Sequence, residues 1–378
     1  MRAKSTRVDW VDHAKGLCII MVVMMHSTLG VEKAAETQGW LGAVVAWAQP
    51  FRMPDFFLLS GLFMSAVIGR DWRFYLDRKL VHFGYFYVLW NTIQFALKSG
   101  PGLVGEPLSK IACEYLYTLA IAPIGILWFL YVLALFFVVA KLFARAPWLL
   151  FAIAAALHLG HDRLYDAALA LGEDAAVLIG EFANRLVFFV AGWLGAPAIF
   201  RFADRVRAHK PASLALLLAW AIANGALVEL GWSHLTIVSL PLGLIGALAV
   251  VAVAVFLSDL PFSRFVSYCG ENSIVIFLSF FLPMVALRST LLWQDSLTDI
   301  GTISALVTIG GVLWPLGLLY VINRFGHGRF LFERPAFVTI MDLGEIDRRR
   351  REALNLPPVA DVAEANPPVL RAPHCPAE

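Results

Sequence analysis

Ten apolar stretches recur along this chain, near 14–30, 53–69, 79–97, 123–143, 147–160, 178–200, 211–230, 235–257, 270–289 and 302–323. Most approach the roughly 20 residues that an α-helix needs to cross the hydrocarbon of a bilayer. Inside lipid the backbone must satisfy its own polar groups, so a spanning chain is confined to helices or a closed barrel, and continuous apolar runs of this length are helical. The chain is therefore expected to be all-α, a polytopic integral membrane protein of about ten transmembrane helices. The stretch at 147–160 is the shortest. A further segment, 40–51 with Trp40, Trp47 and Pro50, is too short to span beside its neighbour and is expected to lie at the interface or to re-enter.

Of the 378 residues, 60% are hydrophobic and 15% charged, against about half and a quarter in soluble domains. A net charge of +2 gives no footing for nucleic acid. Cys18, Cys113, Cys269 and Cys375 are scattered without metal-ligand spacing, so no metal is expected. Cys18 and Cys269 fall in or near apolar runs, where inert packing explains them. Arg2, Lys4 and Arg7 precede the first run, but Asp9 and Asp12 intervene and no small-residue cleavage site follows. The first helix is thus expected to remain in the mature protein.

Ten spans would place both termini on one side, and basic residues should then collect at alternate junctions on the cytoplasmic side. One set of junctions holds 23 of the 30 Lys and Arg: the N-terminus through Lys15, 70–79, 141–145, 201–210, Arg264 and everything after 323. Lys33, Arg52, Lys98, Lys110, Arg163, Arg185 and Arg288 fall on the other side or inside helices. Both termini are expected in the cytoplasm.

Residues 1–335 are read as one membrane domain, ending in an interfacial segment from Arg324 to Pro335. Residues 336–378 are read as a cytoplasmic tail. Arg348 to Arg351 suit anionic headgroups, and the proline-rich stretch from Leu356 is expected to be disordered. No internal repeat is visible, which lowers the prospect of a transporter built from two inverted halves.

Four places carry polar groups that a bilayer does not require. On the first span Lys15 and His26 lie eleven residues apart, on one helix face and about 16 Å apart along its axis. An imidazole halfway across a membrane points to a functional site or to a partner on a neighbouring helix. Asp12, one turn earlier, also suits the positive end of the helix dipole. The second place is Arg52-Met53-Pro54-Asp55, read as the first turn of a helix with Asp55 capping it and Arg52 at the outer interface. Ser60 and Gly61 behind it suit close helix packing. The third is Arg70 and Arg73, explained by topology but also spaced to aim two guanidiniums one way on a helix, as phosphate binding requires. The fourth is Glu271 and Asn272, which either cap the ninth span or face a cytoplasmic cavity. Trp128 reads as packing or as a platform for a sugar. His158, His161 and His234 flank outer loops and are expected to be solvated. Glu181 and Arg185, at i and i+4, are expected to neutralise each other.

In this order the residues resemble the acyltransferase-3 family of integral membrane acyltransferases. That family typically shows Asp-x-x-Arg-Gly with a histidine eleven residues after the arginine, then Phe-Phe-x-x-Ser-Gly, Arg-x-x-Arg, Trp-Phe-Leu and a late Gly-x-x-Ser. Here Asp12, Gly16, His26, Phe56-Phe57, Ser60-Gly61, Arg70/Arg73, Trp128-Phe129-Leu130 and Gly270/Ser273 fall in sequence. The resemblance covers nearly all of 7–335. Two departures mark a divergent branch: Lys15 stands at the usual arginine, and the late helix lacks the histidine that often follows its serine.

The resemblance implies an acyl-CoA-dependent O-acyltransferase of the bacterial cytoplasmic (inner) membrane, moving an acetyl or succinyl group to a cell-surface or periplasmic glycan. Glycan O-acetylation is one such reaction. Its partners would be the bilayer, acyl-CoA and a glycan or glycolipid acceptor. Lys15, Arg70 and Arg73 would hold the CoA phosphates, and His26 would act as general base or as acyl carrier. Asp12, Arg52, Asp55, Trp128, Glu271 and Asn272 would support the substrates. The competing readings are a proton-coupled solute transporter that uses the same residues as a relay, and a non-catalytic membrane sensor.

Overall fold

Carboxylates favour the start of a helix and cations its end, and the first helix follows that rule. Asp9 and Asp12 stand in the first turn and Lys33 in the last turn of α1 (Asp9–Ala35). The computed structural model describes residues 8–293 and 299–339. Arg2, Lys4, Arg7, Asp295, Arg348 to Arg351 and the tail from 340 lie outside the described residues. Among the described residues every regular element is helical.

After α1 come α2 (Trp40–Gly61), the short α3 (Met64–Val67) and α4 (Trp72–Leu76). A π turn at Asp77–Val81 carries α4 into α5 (His82–Lys98), followed by α6 (Leu108–Ala120) and α7 (Trp128–Leu142). The chain continues with α8 (Pro147–Leu159), α9 (His161–Ala168), α10 (Glu173–Ala208), α11 (Lys210–Glu229) and α12 (Thr236–Ser258). The last part holds α13 (Arg264–Glu271), α14 (Ser273–Ser279), α15 (Phe281–Trp293) and α16 (Ile300–Phe325). Among the described residues six helices are long and apolar enough to cross a membrane: α1, the Gly125–Leu142 stretch that contains α7, α10, α11, α12 and α16. The α14–α15 pair, bent by 55°, makes a seventh if taken as one span. The other expected spans correspond to the second half of α2, to α5 with 17 residues and to α8 with 13.

The segment 40–51 is not an element of its own, as an interfacial or re-entrant piece separate from the next span would be. It forms one 22-residue helix with residues 52–61, and Pro50 and Pro54 lie inside it rather than at its start. Prolines remove two backbone donors, and a membrane helix tolerates this when other groups take up nearby carbonyls. The Arg52 guanidinium donates to the Val45 carbonyl (3.3 Å), and the Asn224 amide donates to the Trp47 carbonyl (2.8 Å). Asn224 is the one fully buried residue of the otherwise peripheral α11, and Trp47 returns a bond to the Ala221 carbonyl (3.1 Å). At the other edge of α2, Asp299 caps α16 by accepting from the Thr302 N–H (2.7 Å) and also accepts from the Trp40 indole (3.2 Å). These hydrogen bonds, the Thr302 hydroxyl foremost, hold the Asp299 carboxyl below the ordinary carboxylate range.

The centre of the bundle is α1, which packs on α2, α12, α13 and α16. Two glycines set how closely it meets α13. A methyl group at Gly16 would run into the Val266 carbonyl, and one at Gly270 into the Asp12 carbonyl. Gly61 and Gly192 do the same for α2 and α10, each facing a carbonyl of the other helix, the close approach that small residues allow in membranes. The segment after α16 is docked onto α5. Tyr85 and Trp90 donate to the carbonyls of Phe330 and Leu331, Trp90 stacks on Phe332, and Arg334 grips Asp77 at 2.7 Å.

Candidate active site

Five helices, α1, α2, α7, α13 and α14, give residue stripes to a pair of adjoining cavities. On α1 the stripe runs Asp12, Lys15, Cys18, Val22, Met25, His26, the three-and-four spacing of a single helix face. On α2 it runs Arg52, Met53, Phe56, Leu59, Ser60, with Phe63 just beyond the helix end, in the opposite sense. Trp128, Phe129, Leu130, Leu133 and Phe137 form it on α7, and Glu271, Ser273, Ile274 and Phe277 on α13 and α14. Three phenylalanines, Phe56, Phe129 and Phe277, line both cavities. Their rings touch in series, with centroids 4.9 Å apart for Phe56–Phe129 and 5.4 Å for Phe129–Phe277. They form an aromatic partition.

The cavity on one side of the partition has a volume of about 310 Å³ and carries Asp12, Lys15, Lys79 and Glu271 among mostly apolar walls. Lys15 lies over the Phe63 ring and Lys79 over Phe137 (4.4 Å), both cation–π contacts that keep an ammonium beside an apolar surface. Asp12 is 7% exposed. The cavity on the other side holds about 180 Å³ and carries His26, Arg52, Trp128, Glu181 and Arg185. The His26 ring packs at 5.7 Å from Phe280, and no protein hydrogen bond engages it among the described residues. Both of its nitrogens are therefore left to whatever enters. Arg185 and Glu181 pair at 2.9 Å, as their spacing predicts, and the pair also forms part of the His26 wall. Asp55 is fully buried between these helices. It is a mid-helix group and not a cap.

The structure gathers Asp12, Lys15 and Glu271 on one side of the partition and His26, Arg52 and Trp128 on the other. It does not bring Arg70, Arg73 or Asn272 to either wall. Arg70 and Arg73 are exposed and do not share a helix face. Asp71 takes the N-cap of α4 by accepting from the Arg73 N–H (3.0 Å), which leaves Arg70 in the preceding bend. The Lys141 ammonium fixes that bend through the carbonyls of Ile68 and Arg70, both at 2.6 Å. Asn272 donates back to the Tyr268 carbonyl (2.9 Å) instead of capping α14. His158 is not solvated. It is 1% exposed, bonded to the Asn184 carbonyl (2.9 Å) and to the Ser239 hydroxyl (3.1 Å). The sequence reading missed Lys79, which passed for a topological charge, although its i, i+4 spacing to the inward-facing Phe83 marks the same face.

The bundle thus sets a cavity carrying Lys15, Lys79, Asp12 and Glu271 against one carrying His26, with the aromatic partition between them. The acyltransferase-3 family model, described as an acyltransferase domain, matches residues 8–324, and the chain belongs to that family. One curated relative is the "Inner membrane protein YcfT" of Escherichia coli (strain K12), 28% identical over 165 residues. That match covers 38% of this chain and 46% of the relative, so the chain spans about half the length of the curated relative it matches. No solved structure is a significant match.

Proposed function

We propose that this chain moves an acetyl or succinyl group from cytosolic acyl-CoA to a hydroxyl of a cell-surface or periplasmic glycan, in a bacterial inner membrane. The observation that carries the reading is the pair of cavities abutting at Phe56, Phe129 and Phe277. A donor entering beside Lys15 and Lys79 meets an acceptor beside His26 without either substrate crossing the membrane. The donor's phosphates match the ammonium groups, and its pantetheine arm matches the apolar walls.

His26 removes the proton from the acceptor hydroxyl as the new C–O bond forms at the thioester carbonyl. The C–S bond then breaks and the thiolate leaves, taking a proton. In the alternative order the imidazole itself displaces the thiolate and hands the acyl group on. In both routes negative charge grows on the carbonyl oxygen, and the Arg52 guanidinium is the cation placed to meet it. Arg70, Arg73 and Asn272 fall outside the walls and are assigned peripheral roles at the cytoplasmic end.

Purified protein incubated with labelled acetyl- or succinyl-CoA and an envelope glycan tests the reading. Wild type should release CoA and label the glycan. His26→Gln, which keeps a hydrogen-bonding group without basicity, should lose about 10²–10⁴-fold in rate. Near-wild-type transfer by His26→Gln would return this histidine to a packing role, and a protein that ignores acyl-CoA while moving solutes would favour the transporter.

A further inference from the structure

On the same end of the bundle as His26 lies a third cavity of about 160 Å³, unlike the other two in chemistry. Gln49 of α2, His158 of α8, Asn184 of α10, Ser239 of α12 and Ser233 before α12 converge on it. Each offers a neutral group that donates or accepts. Arg185 lines both this cavity and the His26 cavity, so the two adjoin across one side chain. At about 30 Å³ per water the space is several waters large, the scale of a single sugar ring.

The wall is built rather than incidental. His158 is 1% exposed. Its Nδ1 faces the Asn184 carbonyl, which can only accept, so Nδ1 carries the proton, and Nε2 lies 3.1 Å from the Ser239 hydroxyl, which also donates to the Thr236 carbonyl (3.0 Å). That locks one tautomer and ties α8, α10 and α12 together at the cavity floor. With both nitrogens engaged, His158 is a positioning residue and not a second base. Arg185 is neutralised by Glu181, so the cavity offers no net positive charge to a phosphate or carboxylate. Amides, hydroxyls and the imidazoles of His158, His161 and His234 beside Pro50, Pro54 and Phe188 match instead a ring with an apolar face and several hydroxyls.

We propose that this cavity is the acceptor subsite, holding the neutral saccharide unit next to the one whose hydroxyl is presented to His26. The proposal rests on the acyl-transfer reading for its kinetic arm, but binding tests it separately. The probes are a linear glucan hexasaccharide in solution and the same saccharide on a lipid carrier in nanodiscs, which distinguish a free glycan from a glycolipid. Gln49→Ala, at an exposed position, and Asn184→Ala, which keeps the backbone carbonyl that holds His158, should each raise the acceptor KM. About 5- to 10-fold is expected per lost hydrogen bond. The rise should fall on the acceptor and not on the donor KM, and saccharide binding measured without any donor should weaken by the same factor. Should wild type turn over no acyl-CoA, the donor reading fails, and saccharide binding that weakens in the two variants still supports the subsite. Wild type that binds neither probe, or variants that bind and transfer as wild type does, would overturn the assignment.

Discussion

Lys15 and Lys79 come from different helices and reach one cavity, while Arg70 and Arg73 are exposed outside its wall. Position therefore brings Lys79 beside Lys15 and sets Arg70 and Arg73 apart, a ranking the sequence alone does not give. Charge-assisted contacts to phosphate are worth about 1.5–3 kcal/mol each when made away from bulk water, and exposed pairs far less. Lys15→Ala and Lys79→Ala should each raise the acyl-CoA KM by about 10- to 100-fold, and Arg70→Ala and Arg73→Ala by only a few-fold. Lys15→Arg should be tolerated, since it restores the residue usual in the family. Steady-state kinetics over a donor series checks this order. Equal effects at all four positions would place the phosphates at the mouth and not within the cavity.

Elements, more than single residues, decide what can pass between the cavities. The partition consists of one phenylalanine from each of α2, α7 and α14, with Phe129 and Phe277 only 5% and 6% exposed. In the proposed reaction an acyl group bound on the Lys15 side has to reach the His26 side between these rings, which would then gauge its size. Phe129→Leu should extend turnover to acyl-CoAs longer than the natural donor. Each methylene that then fits is worth about 1–3 kcal/mol in kcat/KM, which a donor series from acetyl to hexanoyl would read out. An unchanged length preference in both Phe129→Leu and Phe277→Leu would mean that the acyl group does not cross there. The α1 stripe was legible in the sequence because eleven residues fix a shared helix face whatever packs beside it. The partition was not legible, because three distant phenylalanines meet only through tertiary packing. The start of α2 was misread at Pro54 because the groups that make Pro50 tolerable, Asn224 among them, lie on another helix. The pairing of Arg70 with Arg73 failed for a local reason: Asp71 takes the N-cap and turns Arg70 off the helix. His158 was read as solvated because no feature near it in sequence announces Asn184 or Ser239.

At the scale of the whole molecule, the helices that line the cavities give a ground for the topology independent of the charge count. Chain direction past the partition alternates. α1 and α14 run from the Lys15 cavity toward the His26 cavity, whereas α2 and α7 run the other way. α10 leaves the His26 cavity after Arg185, and α5 leaves the Lys15 cavity after Phe83. The loop at Arg145, after α7, and the junction at Lys210, after α10, thus belong to the Lys15 end, and Lys110, after α5, to the opposite end. The basic residues at 141–145 and 201–210 thus gather at the Lys15 end, where Lys and Arg are expected to mark the cytoplasmic side. Reporter fusions after Arg145 and Lys210 should give cytoplasmic signals, and fusions at Lys110 and Asp295 outer ones. A cytoplasmic signal at Lys110 with outer signals at Arg145 and Lys210 would turn the Lys15 cavity away from cytosolic acyl-CoA. That result would remove the donor assignment while leaving the family and the pair of cavities untouched.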